Sequence, residues 1–337
     1  MRANRYRAKK AMWRREFLGL IGGAAAAWAS VVRAERAPIV IGYLSARAPD
    51  ESKHLLAAFR EGLKSEGFIE GQNVEIRFRW AEGQYSRLPG MAAELARENV
   101  ALLVATGGEP SALAAKAATS TIPIVFTVGG DPVRIGLVAS LNRPGGNATG
   151  VSLLTTAPEV KRFSLLHQVV PNAAVIGVLI NPNYAEADDQ RQEVREAARA
   201  VDRRVEIATP VEEHQLEPAF ASLIERQATA LLVSADPFFD TRRNQIVALA
   251  AKYRLPTMYQ FRDYALAGGL MSYGISITDG YRQVGIYAGQ VLKGTKPADL
   301  PIYQSIRFEF VINLKTAKAQ GVEIPDKLLS LADEVIE

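Results

Sequence analysis

Beyond residue 37 the chain alternates short apolar runs, rich in Val and Ile, with longer stretches whose apolar positions recur at helical spacing. Pro38 to Ser45 reads as a strand, and Ser52 to Glu66 follows as a helix carrying Leu55, Leu56, Phe59 and Leu63 on one face. Asn73 to Trp80 alternates Val74, Ile76, Phe78 and Trp80 as a second strand, and Tyr85 to Arg97 is a second helix. Ala101 to Ala105 and Ile122 to Val128 are strands separated by an Ala-rich helical segment, and Thr149 to Leu154 is a further short run. The pattern then restarts: helix Lys161 to Val169, strand Ala174 to Ile180, helix Ala185 to Val201, strand Arg204 to Ala208, helix Glu213 to Arg226, strand Ala230 to Ser234, helix Thr241 to Tyr253 and strand Pro256 to Tyr259. Gly268 to Gly274 is a short strand suited to a crossing between lobes, Thr278 to Lys293 is a last long helix, Pro297 to Pro301 is a linker, and Phe310 to Gln320 with Pro325 to Leu331 closes the chain. Two successive sets of strand-helix units predict two doubly wound α/β lobes with parallel sheets covered on both faces.

The ends of the strands carry the candidate chemistry. Ala101 to Ala105 stops in Thr106-Gly107-Gly108-Glu109-Pro110-Ser111, and Ile122 to Val128 stops in Gly129-Gly130-Asp131-Pro132, a sequence echoed by Ala235-Asp236-Pro237. Ligands of open α/β sheets sit at the carboxyl ends of the strands, where glycines let them approach the backbone and a helix start at Pro110 or Ser111 offers unpaired N–H groups. Gly, Asp and Pro after a strand also make ordinary turns, and Asp236 before Pro237 also fits a helix cap.

Composition changes the picture mainly at the start of the chain. Met1 to Ala34 carries eight basic residues and one acid, so the rest of a chain with net charge +4 is itself net −3, and the basic balance gives no argument for nucleic acid. That leader has the three parts of an export signal: basic residues, the run Phe17 to Val32, and small residues at Ala29 and Ala34. Arg14-Arg15-Glu16-Phe17-Leu18 is similar to the twin-arginine export motif, with Trp13 and Gly19 departing from it. Cleavage is expected near Ala34, with Ala29 the alternative, and the run falls short of the roughly 20 strongly apolar residues of a membrane span. The chain has no cysteine, which excludes disulfides and thiolate chemistry. Its three histidines, His54, His167 and His214, show no metal-ligand spacing, so no metal or other cofactor is expected.

Neither a dinucleotide fingerprint nor a phosphate loop is present, and Glu109 places an acid where phosphate would sit. No GxSxG elbow exists, although Glu109, Asp131 and Asp236 facing one cleft leave an exported hydrolase open. A binding role uses more of the residues. Ser45, Thr106 and Ser111 are candidates for holding a ligand carboxylate, and Asp131 or Asp236 for pairing with an ammonium group. Tyr184, Phe238, Phe239, Tyr259 and Tyr273 offer flat apolar area for a side chain or ring, though Phe238 and Phe239 also fit a core.

At this point a family resemblance emerges over Pro38 to Leu331. The pieces that carry it are Ala57 to Leu63, Glu70 to Val74, Arg79 to Gly83, Ile122 to Phe126, Gly130 to Val133, Gly136 to Leu141, Arg143 to Asn147 and Leu292 to Pro301. Together they resemble the periplasmic substrate-binding proteins of ABC transporters, in the group that includes tryptophan and tyrosine binders and is related to the leucine-isoleucine-valine binders. The resemblance implies a type I periplasmic binding protein: two Rossmann-like lobes joined by a three-segment hinge, here residues 35–152 plus 270–300 and residues 153–269 plus 301–337, following an export signal at 1–34. It implies no catalysis. A small solute, an amino acid or an aromatic or carboxylate-bearing molecule, would be held between the lobes by Ser45, Gly108, Ser111 and Asp131 of the first and Asn181 and Asp236 of the second. A periplasmic monomer would then hand that solute to a permease in the inner membrane. A ligand-sensing domain that touches a membrane signalling receptor remains the alternative.

Overall fold

The computed structural model describes residues 37–155 and 158–337, so the expected export leader lies outside the described residues. Ile39–Glu337 form one compact unit. Within it the chain builds two sheets. In the first lobe β1 (Ile39–Ser45), α1 (Lys53–Ser65), β2 (Val74–Trp80), α2 (Leu88–Arg97), β3 (Leu102–Thr106), α3 (Glu109–Ala118), β4 (Ile124–Val128) and β5 (Ala148–Ser152) follow one another. The second lobe runs through α4 (Glu159–Val169), β6 (Val175–Leu179), α5 (Ala187–Ala200), β7 (Arg204–Ala208), α6 (Leu216–Glu225), β8 (Ala230–Val233), α7 (Pro237–Thr241), α8 (Arg243–Lys252), β9 (Thr257–Tyr259), α9 (Arg262–Leu266) and β10 (Met271–Ile275). The chain returns to the first lobe for α10 (Ile277–Leu292) and β11 (Tyr303–Gln304). It ends in the second with β12 (Phe308–Asn313), α11 (Leu314–Gln320), α12 (Asp326–Leu329) and β13 (Glu334–Ile336).

The strand orders are β11-β5-β4-β3-β1-β2 and β13-β12-β10-β9-β8-β6-β7. Every pairing is parallel except β10 with β12. Parallel strands covered by helices on both faces need apolar side chains throughout, and β4, β6 and β8 are buried at every position. The first sheet's order places β1 and β3 side by side while the chain moves outward in both directions from them. Their carboxyl ends therefore open a crevice, and β6 and β8 do the same in the second sheet.

Three crossings join the lobes: the segment after β5, Ser276 between β10 and α10, and residues 305–307 between β11 and β12. The strand Met271–Ile275, expected in the first lobe, belongs to the second sheet, because it pairs with both β9 and β12. Tyr303 and Gln304, expected in the second lobe, pair with Val151 and Ser152 in the first. The fully buried Arg162 ties two crossings together, donating to the Thr155 carbonyl at 2.8 Å and the Tyr273 carbonyl at 3.4 Å while paired with Glu159.

Helix α10 anchors the second pass through the first lobe by packing closely against α1. A Cβ on Gly62 would meet the Arg282 carbonyl oxygen at 2.0 Å, and one on Gly285 would meet the Phe59 carbonyl oxygen at 2.1 Å. Any side chain at either position would push these helices apart. The expected helix from Thr241 to Tyr253 is α8, Arg243–Lys252, and Asp236 starts a separate five-residue α7 ahead of it. Phe308–Asn313, read only in part as the chain's closing segment, is the antiparallel strand that extends the second sheet.

Candidate functional site

The lobes face each other across a small, partly open cavity of about 30 Å³. The first lobe contributes Arg47 after β1, Gly107 and Gly108 after β3, and Thr127, Val128 and Gly129 at the end of β4. Leu153 and Thr155 come from the first crossing, and Ile277 and Tyr281 from α10. The second lobe contributes Tyr184 after β6, Ala235, Asp236, Pro237 and Asp240 around the start of α7, and Phe261 after β9. Each group is a strand end or a helix start, which is where the α/β topology leaves backbone and side chains free to face a ligand.

Asp236 is the chemically distinctive wall residue. Its Oδ1 accepts from the backbone N–H of Phe238 at 2.9 Å and of Phe239 at 3.2 Å, capping α7, and from the Asn181 side-chain amide at 3.1 Å. Its Oδ2 accepts from the Tyr85 hydroxyl of the first lobe at 2.7 Å. It is 2 % exposed and forms no ion pair among the described residues. Burial pushes its carboxyl up to about 7, even though those hydrogen bonds favour the charged form. Asp236 is therefore both the helix cap and the cavity acid.

Arg47 and Asp240 form the other charged element, 2.6 Å apart across the lobes with only 4 % of either side chain exposed. Burial is the largest single influence and opposes the charge on Arg47, yet Asp240, Tyr281 and Asp263 together outweigh it and hold the guanidinium's pKa above its ordinary value. Asp240 also accepts from Gln260 at 2.6 Å and from the Tyr264 hydroxyl at 3.2 Å. On the third side the Tyr184 hydroxyl reaches the first lobe beside Gly129, where it leans on the Glu109 carboxylate. Burial first, and Glu109 second, push its phenol up.

Glycine is what lets the lobes meet there. A Cβ on Gly129 would lie 2.6 Å from the Tyr184 hydroxyl, and one on Gly130 only 1.5 Å from Glu186 Oε1. Further out, Arg134 reaches across to Glu186 at 2.9 Å and to Asp189, and Arg243 pairs with Glu51 at 2.7 Å. These pairs span the lobes in a closed arrangement.

Of the residues expected at the site, Gly108, Tyr184 and Asp236 line the cavity. Asn181 stands directly behind Asp236 and supports it. Ser45 and Ser111 are fully buried behind the wall, as is Thr106, and none of them lines the cavity. Asp131 is exposed, and its carboxylate bonds the N–H groups of its own turn, Val133 at 2.8 Å and Arg134 at 3.4 Å. Tyr259 is a core residue stacked on Tyr264 with ring centroids 4.6 Å apart. Tyr273 stacks on Phe308 at 5.6 Å, away from the cavity. Phe239 is wholly buried, and Phe238 faces an outer groove beside Tyr85 and Asn181. Sequence reasoning missed Arg47, Tyr85, Thr127, Asp240 and Tyr281. Arg47, a basic residue two positions after a strand, was the one available signal.

The family model described as ABC transporter substrate binding protein matches residues 48–336. The chain belongs to this family. It is a family of solute receptors rather than of enzymes, and the two sheets with their interlobe cavity form a type I periplasmic binding protein fold. A tyrosine-binding protein of Clostridioides difficile (strain R20291) is 28 % identical to this substrate-binding protein over 269 residues, 79 % of this chain and 76 % of that one. A conserved domain protein from Vibrio cholerae matches with a TM-score of 0.81 at 26 % identity, over 89 % of this chain and 100 % of that one. An ABC domain from Streptococcus pneumonia in complex with L-Trp matches with a TM-score of 0.77 at 27 % identity, over 88 % of this chain and 100 % of that one. No described helix of this substrate-binding protein is long and apolar enough to cross a membrane.

Proposed function

We propose that this substrate-binding protein captures an amino-acid-like solute bearing an ammonium group and an apolar or aromatic body, and delivers it to an ABC permease. The observation that carries this reading is Asp236, a buried carboxylate on the wall of an interlobe cavity with no cation partner among the described residues. An ammonium ion entering the cavity gains a charge-assisted hydrogen bond and relieves an acid that burial otherwise protonates. Tyr184, Phe261, Tyr281, Ile277 and Leu153 supply the apolar surround. The relatives that bind tyrosine and L-Trp support the same solute class.

Arg47–Asp240 and Tyr85–Asp236 form only when the lobes meet, so ligand contacts on both walls shift an open-closed equilibrium towards the closed form. Export through the leader, with cleavage near Ala34, places this monomeric receptor in the periplasm beside its permease. Calorimetry against a panel of amino acids and amines, with small-angle scattering of the same samples, tests the reading. Expected are one saturable site, a smaller radius of gyration on binding, and recovery of the ligand unaltered. Binding without compaction, or conversion of the ligand, would contradict it.

A further inference from the structure

Glu109 is fully buried directly behind the cavity wall, and its carboxylate takes up backbone donors that a ligand's anion would use. It is the first residue of α3, directly after Gly107-Gly108, at the junction where a strand-end loop and a helix N-terminus present N–H groups. Its Oε1 accepts from the N–H of Gly129 at 2.7 Å and of Gly130 at 2.8 Å. Those two donors on the β4 loop are thus already used by a carboxylate that belongs to the chain and is fully buried. The hydroxyls of Ser45, Thr106 and Ser111 lie behind the wall and take no part.

The charges around the cavity point the same way. Arg47 is cancelled by Asp240, and Glu186 is met by Arg134 across the rim. Asp236 and Glu109 remain, both buried and neither in an ion pair among the described residues. Uncompensated buried carboxylates are costly, and a cation is what relieves them. A zwitterion brings no net relief. Its carboxylate would also have to compete with Asp240 for Arg47, the one cationic side chain on the cavity wall among the described residues.

We infer that the cleft selects a ligand of net positive charge, an organic amine that lacks a free carboxylate, over the corresponding free amino acid. This rests on the reading of Asp236 as the ammonium acceptor and adds that Glu109 consumes the backbone donors an anion would need. Discrimination then comes from the carboxylate that the site refuses as well as from the ammonium that it accepts.

Calorimetry on the folded protein near neutral pH tests it with pairs that differ only in the carboxylate: tryptophan and tryptamine, tyrosine and tyramine, leucine and isopentylamine. In any pair that binds, the amine is expected to bind tighter by about tenfold or more. Glu109→Gln keeps the size of the side chain and an oxygen for Gly129 and Gly130, and is expected to shrink that ratio. Amino acids binding as tightly as the amines, or tighter, overturn the charge inference and leave the Asp236 reading standing. Binding by no member of any pair contradicts the Asp236 reading and this inference with it.

Discussion

The two walls of the cleft are made of different material. The strand ends of the first lobe offer mostly backbone, with Gly107, Gly108 and Gly129 beside Thr127 and the single Arg47, and its apolar side chains come from the crossing and α10 as Leu153, Ile277 and Tyr281. The strand ends of the second lobe instead offer side chains, Tyr184, Asp236, Asp240 and Phe261. A glycine wall lets the opposite lobe approach closely, and an acidic, aromatic wall then meets the ligand. The acidic part of the recognition in this receptor therefore rests on the second lobe, and close approach of the lobes on the glycine loops of the first. The charge relation follows the same division. The first lobe's Arg47 serves as a counter-ion for Asp240, and the first lobe's Glu109 serves as a brace for its own loops.

The largest effect is expected where the two walls share a charge. Asp240→Ala leaves Arg47 buried without a partner and should cost about 3–5 kcal/mol, read as a loss of stability in urea unfolding or as an opened cleft in scattering. Retention of both stability and compactness would show that the pair does not couple the lobes.

Asp236→Asn should come next, weakening amine binding by about a hundredfold while the fold is kept, because an amide can still accept the Phe238 N–H. Calorimetry checks this, and unchanged affinity removes Asp236 from the site. A pH series sharpens it. The folded protein holds the Asp236 proton up to about 7, whereas the ordinary carboxyl releases it near 3.8. The folded state therefore binds more protons between those values, and this group's contribution to stability falls as pH rises from 3.8 to about 7 and then levels off. Affinity for an amine should do the reverse, rising by up to about tenfold per pH unit through the upper part of that window and flattening above it.

Gly130→Ala tests the first lobe's share. Its Cβ would collide with Glu186 at 1.5 Å, so closure should weaken and affinity fall by about tenfold without loss of global stability. Arg134→Ala should be smallest. Half of that side chain is exposed, and its rim pairs are expected to contribute no more than about 1 kcal/mol.

The same division explains what was legible in the sequence. The glycine wall could be read because a Val- and Ile-rich run ending in Gly-Gly is a local signal, and Asp236 because Asp-Pro starts a helix at a strand end. Asp131 carries the same local signature, yet its loop turns outward and its carboxylate is consumed by its own turn. Tyr259 and Tyr273 sit on strands like genuine wall residues, but their rings point into stacks with Tyr264 and Phe308. Arg47 and Asp240 are 193 positions apart, and Tyr85 and Asp236 are 151 apart. Neither pair leaves a trace in spacing, because only lobe closure brings its members together. The lobes were legible from periodicity. The places where the chain crosses between them were not, since β10 and β11 are short and β11 pairs with a strand far away in sequence.

The most direct measurement is a crystal structure of the protein with the solute it binds. The account predicts one molecule in the cavity between the lobes, its nitrogen within hydrogen-bond distance of the Asp236 carboxylate and its apolar body against Tyr184, Phe261 and Tyr281. A ligand bound outside this cavity, or one that turns a carboxylate rather than a nitrogen towards Asp236, would contradict it.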